Sequence, residues 1–235
     1  MDSPSPDVVN DIWIPLLLSL KVAGWATVLA TAVGVAAAWG LSRWSSRWCD
    51  VVDALLTLPM VLPPTVIGYY LLVLFGRRGW LGEWLRSWGI ELVFTWQGAV
   101  IAAAVVAFPM VLKAARAAFL DVDHSLEQAA AGLGASPAAV FWHISLPLAM
   151  RGILAGMLLA FARALGEFGA TLMVAGNIPG RTQTLSIAIY QAVQAGDDST
   201  ATVLVVVTSV TCVVMLCLAT WLMPGRRGRQ RRAAA

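Results

Sequence analysis

The chain has 235 residues, 59% of them hydrophobic and only 12% charged, against about 25% charged in an ordinary soluble domain. That balance excludes a soluble globular enzyme and describes an all-α integral membrane protein whose spans set the architecture. The net charge is only +3, and its basic residues are accounted for by membrane topology rather than by nucleic-acid binding. Eleven tryptophans suit a protein with two membrane–water interfaces. Cys49, Cys212 and Cys217 show neither CxxC nor zinc spacing, and the last two lie in an apolar run where cysteine acts as a small hydrophobe.

Residues 1–11 are polar and acidic, with Asp2, Asp7 and Asp11 and no basic residue. A first apolar run, 12–41, is interrupted by Lys21 and is longer than a roughly 30 Å hydrocarbon core requires. Its length and the lack of a basic leader read as a retained span, not a cleaved signal. The second span, 54–75, contains Pro59, Pro63 and Pro64. Prolines remove helix hydrogen bonds, and broken backbone at membrane depth persists only against protein or a water-lined path. This span is therefore expected on the pathway side. Residues 76–91, GRRGWLGEWLRSWGIE, form an amphipathic connector suited to a membrane surface. The third span, 94–112, carries Pro109; the fourth covers 146–168 and the fifth 202–223. A basic tail follows, with Arg226, Arg227, Arg229, Arg231 and Arg232, suited to anionic lipid. All of this reads as a single transmembrane domain. It has five spans, or six if the first run divides or the 182–195 stretch crosses.

Residues 121–145 form a loop too polar to join either neighbouring span. Ser125 and Gln128 have capping-box spacing and predict a short helix. Gly132 and Gly134 are expected to end it, since glycine accepts the reversal that a β-carbon resists. Ser136-Pro137 predicts a restart, with serine as cap and proline at the first helical position. The expected result is a small helix–turn–helix with an alanine surface at Ala129, Ala130 and Ala131.

Two charges lie inside the fourth apolar run, Arg163 and Glu167. An ionisable residue within a span is costly and marks a functional candidate. Four residues apart, they share a helix face and can neutralise one another. The alternative is that this face lines a pathway, with Gly166, Gly169 and Thr171 offering backbone and hydroxyl donors to an anion. Gly152 and Gly156 form a GxxxG suited to close helix packing. Neither His124 nor His143 has a metal-ligand partner at suitable spacing, and no metal site is expected. No GxxxxGK[ST] pattern occurs, so the chain has no recognisable phosphate loop. On a five-span count, ten Lys/Arg fall on the side of the loop and tail, and four (Arg77, Arg78, Arg86, Arg181) on the other. The positive-inside rule then places the loop and C-terminus in the cytoplasm and the N-terminus outside.

The loop resembles the EAA loop of ABC-transporter permeases. It matches as Gln128-Ala129-Ala130, then Gly134, then Ile144, Leu146 and Pro147 at the family spacing, with Gln128 where the family has glutamate and Glu127 just before it. LPMVLPPTVIGYYLLVLFGRRGWLG (58–82) and ARALGEFGATLMVAGNIPGRTQTL (162–185) are similar to molybdate permeases, and GEFGA is shared with sulfate and tungstate permeases. The resemblance implies an inner-membrane subunit of a bacterial molybdate importer that works by alternating access, with no cofactor on this chain. It implies two copies forming the pathway, two ABC ATPase subunits that use ATP, and a periplasmic or lipid-anchored molybdate-binding protein. Glu127, Gln128, Ala129, Ala130, Gly134, Ile144, Leu146 and Pro147 would couple to the ATPase. A permease for tungstate or sulfate/thiosulfate remains the alternative. From another class, an ion-gradient-driven carrier would need intramembrane carboxylates, and only Glu167 is available.

Overall fold

The computed structural model of the protein describes residues 6–44 and 46–222; residues 1–5 and the arginine tail lie outside them. Among the described residues the fold is all-helical. α1 (Pro6–Ser42), α5 (Trp96–Leu120) and α8 (Leu146–Leu165) make its centre. Their contacts run along small residues. Ala23, Ala26 and Ala30 of α1 and Ala99, Ala103 and Ala107 of α5 recur at helical spacing and are almost completely buried. Gly152 and Gly156 bring α8 against α5 so closely that added β-carbons would lie 2.5 Å from the Ala118 Cβ and 2.8 Å from the Ala114 Cβ. Lipid tails are as apolar as leucine, so close backbone approach supplies the association that hydrophobicity supplies in water. α5 is the hub, with 67% of its apolar window buried, against 11% for α11 (Asp198–Leu222) at the periphery.

Among the described residues, four helical stretches are long and apolar enough to cross a membrane: Ile12–Ser42, Trp96–Leu120, Pro137–Leu165 and Asp198–Leu218. α1 is unbroken. The second span, whose prolines predict broken backbone, is two helices, α2 (Arg47–Val61) and α3 (Pro64–Phe75), bent by 108°. The cause is local. Leu62 and Pro63 each precede a proline, which disfavours the helical region, and both are extended, with ψ of 141° and 135°. α2 is tied to α5 by Asp53, which lies 2.5 Å from Lys113 and 2.9 Å from Arg116. α3 packs elsewhere, against α9 (Gly169–Ala175), where a β-carbon on Gly68 would meet the Met173 Cβ at 2.7 Å.

α4 (Trp80–Ser87) is the surface connector. Its buried Gly82 sits on the end of α3, and Trp80, Trp84 and Trp88 face outward. The fourth predicted span ends early, at Leu165, and Gly166–Phe168 break the helix before α9. α10 (Leu185–Gln194) has ten residues, about 15 Å of helix and half a hydrocarbon core. It is therefore no sixth crossing. It packs against α1 and α11, and its first backbone N–H donates to the buried Ser19 hydroxyl at 2.7 Å. Asp197 opens α11, accepting from the Thr200 N–H and the Ser199 hydroxyl. The Thr200 bond foremost holds its carboxyl at about 2.

Candidate functional site

The predicted loop folds as α6 (His124–Gly132), a turn, α7 (Pro137–Val140) and a π-helical turn, Phe141–Ser145, that runs into α8. The start of α6 differs from expectation. Asp123, not Ser125, is the N-cap, and its carboxylate accepts from the Ser125 N–H at 2.9 Å. A charged acceptor meets the positive helix end better than a neutral hydroxyl placed within the first turn. That bond also holds the Asp123 carboxyl below its usual range. The far end closes as a Schellman motif, with Ala135 N–H on the Ala130 carbonyl and Gly134 N–H on the Ala131 carbonyl. Gly134 has φ +88° and, among the described residues, nothing within 4 Å of a built β-carbon, so backbone conformation demands glycine there. Ser136 caps α7 by accepting from the Ala139 N–H at 3.2 Å.

The loop has an outward and an inward face. Gln128, Ala129, Gly134 and Pro147 are exposed, and Ala130, Ile144 and Leu146 are half-buried. Leu133 projects almost wholly into the surroundings, 91% exposed, and Leu126 is half-exposed. Glu127 turns the other way. It accepts from Arg43 at 2.8 Å and from the hydroxyl of Ser145, and His124 Nδ1 lies 3.3 Å away. Burial opposes the ionised Glu127 carboxylate, but the Ser145 hydroxyl, the Arg43 charge and His124 together hold its pKa below the ordinary glutamate value. Gln128 makes no part of this cluster.

The intramembrane pair forms: Arg163 Nη1 stands 2.6 Å from Glu167 Oε2. Glu167 lies just past the end of α8, where its other oxygen accepts from the Ala170 N–H at 2.8 Å and so satisfies one of the free donors at the start of α9. Glu167 is 2% exposed and Arg163 is partly exposed. Of the three neighbouring donors, only Gly166 is open to the surroundings. Gly169 packs on Pro64, with a built β-carbon 3.1 Å from its Cβ, and Thr171 is buried with no partner for its hydroxyl among the described residues. The glutamate is thus fully engaged within the chain. Sequence reasoning missed Arg43, which stands 84 residues from Glu127, and Ser145; neither carries a local signal. It also missed the Asp53–Lys113–Arg116 cluster, for which the mixed charges at two span ends were the only hint.

Apolar helices around a small-residue core, a proline-broken crossing and a capped helix–turn–helix describe a multi-pass membrane protein. Residues 30–228 match the family of binding-protein-dependent transport system inner membrane components, and the chain belongs to that family. It is 46% identical over 221 residues to the molybdenum transport system permease protein ModB of Escherichia coli (strain K12), covering 93% of this chain and 96% of that protein. The ModB of Haemophilus influenzae is 43% identical over 207 residues, covering 87% and 90%. A probable sulfate transport system permease protein, cysT of Chlorokybus atmophyticus, is 35% identical over 80% of this chain and 66% of its own length. Among solved structures, an inward-facing MetNI methionine ABC transporter superposes with TM-score 0.71 at 16% identity, covering 95% of this chain and 98% of that one. A bacterial alginate ABC transporter bound to its periplasmic protein gives TM-score 0.71 at 14% identity, covering 88% and 76%. The structural likeness defines the fold.

Proposed function

We propose that the chain is the membrane-spanning subunit of an ATP-driven importer of molybdate. The observation that carries this reading is 46% identity across nearly the full length of a molybdenum transport permease. The lower identity of a sulfate permease over a shorter share makes other tetrahedral oxyanions the competing substrates. In this reading two copies enclose the pathway, two separate ATPase subunits bind the loop side, and a periplasmic or lipid-anchored binding protein delivers the anion opposite. The loop and C-terminus face the cytoplasm and the N-terminus lies outside.

The loop geometry suits docking into a partner. Leu126, Ala129 and Leu133 present a small apolar surface on a rigidly capped turn, while the inward face is tied to the bundle. ATP binding draws the ATPases together, the loop moves with them, and helices packed as bodies swing to change which side of the membrane the pathway meets. The shift in population depends on how differently ATP binds the two forms. Arg163 is neutralised by Glu167, which avoids a deep anion trap; a site that holds too tightly does not release.

The test is to purify the complex, identify the chains that accompany it and measure which oxyanion stimulates ATP hydrolysis in proteoliposomes. Molybdate stimulation in the presence of the binding protein is the expected result. Stimulation by sulfate alone would reassign the substrate, and uptake without any ATPase partner would replace the mechanism.

A further inference from the structure

The inward face of the loop joins three separate helices at one acidic side chain. Glu127 sits on α6, and its Oε1 meets Arg43, just beyond the end of α1, and Ser145, the last residue of the π-turn before α8. Ser145 is 1% exposed, and Arg43 also lies 3.4 Å from its hydroxyl. Beneath this polar contact runs an aromatic one. The Arg43 guanidinium lies 4.9 Å from the Trp39 ring centre; Trp39 packs edge-on to Phe141 at 4.9 Å, and Phe141 lies 6.2 Å from Phe119 of α5.

Direct chain connection would tie α6 only to the end of α5 and, through α7, to the start of α8. A hinge at Gly134 would leave it free to tilt against the rest. The Glu127 contacts remove that freedom.

We propose that Glu127 is a positioning residue that clasps α6 to α1 and to the head of α8 through Arg43 and Ser145, so that displacement of the loop is delivered to the helix core as a single body. The carboxylate is therefore committed within its own chain, and contact with a partner falls to the exposed Gln128, Ala129 and Leu133. This inference rests on the reading of the chain as an ATP-coupled permease for its functional consequence; the clasp itself is a property of the fold.

Two measurements on the assembled complex separate those layers. The first is amide hydrogen exchange over residues 124–134, which reports loop opening whether or not transport is ATP-driven. The second is the ratio of molybdate uptake to ATP hydrolysis in proteoliposomes. Losing a charge-assisted hydrogen bond at this site should speed exchange and lower the ratio by about tenfold in Glu127→Gln and Arg43→Ala. The swapped pair, Arg43→Glu with Glu127→Arg, should recover much of both, which a merely lost packing contact would not. Unchanged exchange and ratio in the single variants would overturn the clasp. So would single variants that lose both activities in proportion to lost complex, with no recovery in the swap. Faster exchange with swap rescue, in a wild-type complex that shows no ATP-driven uptake, would keep the clasp but sink the functional reading and the coupling role with it.

Discussion

At the residue scale the two engaged glutamates differ in what removing their partners does. Arg163 holds Glu167 where water cannot replace it, and breaking a buried pair by deleting one member costs on the order of 3 kcal/mol. Arg163→Ala should therefore lower the melting temperature and yield of the complex, with the anion preference of the surviving fraction unchanged. A stable complex with altered preference would place Arg163 on the pathway instead. Glu127 is the case with a pH consequence. Its folded pKa is depressed, so its contribution is complete above the ordinary value of 4.5 and is lost as pH falls through the lower folded value. Wild-type and Glu127→Gln complexes compared side by side should show no inflection from this group at neutral pH. A wild-type complex that kept the whole Glu127-dependent part of its stability as pH fell far below 4.5 would contradict the geometry.

Elements show how far local sequence carries and where it stops. Ser136-Pro137 and Gly134 were readable because a cap and a left-handed turn depend on neighbours within a few positions. The Ser125 cap failed for a related reason: Asp123 stood two positions earlier with a better acceptor. The π-turn at 141–145 had no such local mark, and tertiary packing decides it; the break at residues 166–168 was marked only by Gly166, which caps the helix end, between two apolar stretches. Arg43 and Glu127 were each visible as charges, but their meeting is a matter of topology. The glycine requirements also separate at this scale. Gly134→Ala meets no neighbour and suffers only its left-handed backbone, about 1–2 kcal/mol. Membrane insertion should therefore survive while uptake per ATP falls in the proteoliposome assay. Gly156→Leu forces α8 off Ala114 and Val111 of α5, an overpacking of about 1–3 kcal/mol or more. Thermal unfolding in detergent should show that loss, with insertion still occurring.

For the whole molecule, the bend between α2 and α3 has a consequence of its own. One arm is held by charges to α5, the other by glycine contacts to α9, and the joint between them contains two imino acids that cannot donate. A straight helix through Pro64 would drive its ring against the Met60 carbonyl, so straightening is closed off as a route of motion. Rotation about the extended residues Leu62 and Pro63 stays open and breaks no helical hydrogen bond. Spin labels at the exposed Leu55 and Tyr70 positions would register it; Pro63→Ala with Pro64→Ala should lengthen their separation and slow uptake. The crossing thus works as an elbow, allowing one half of the subunit to pivot while its neighbour stays anchored.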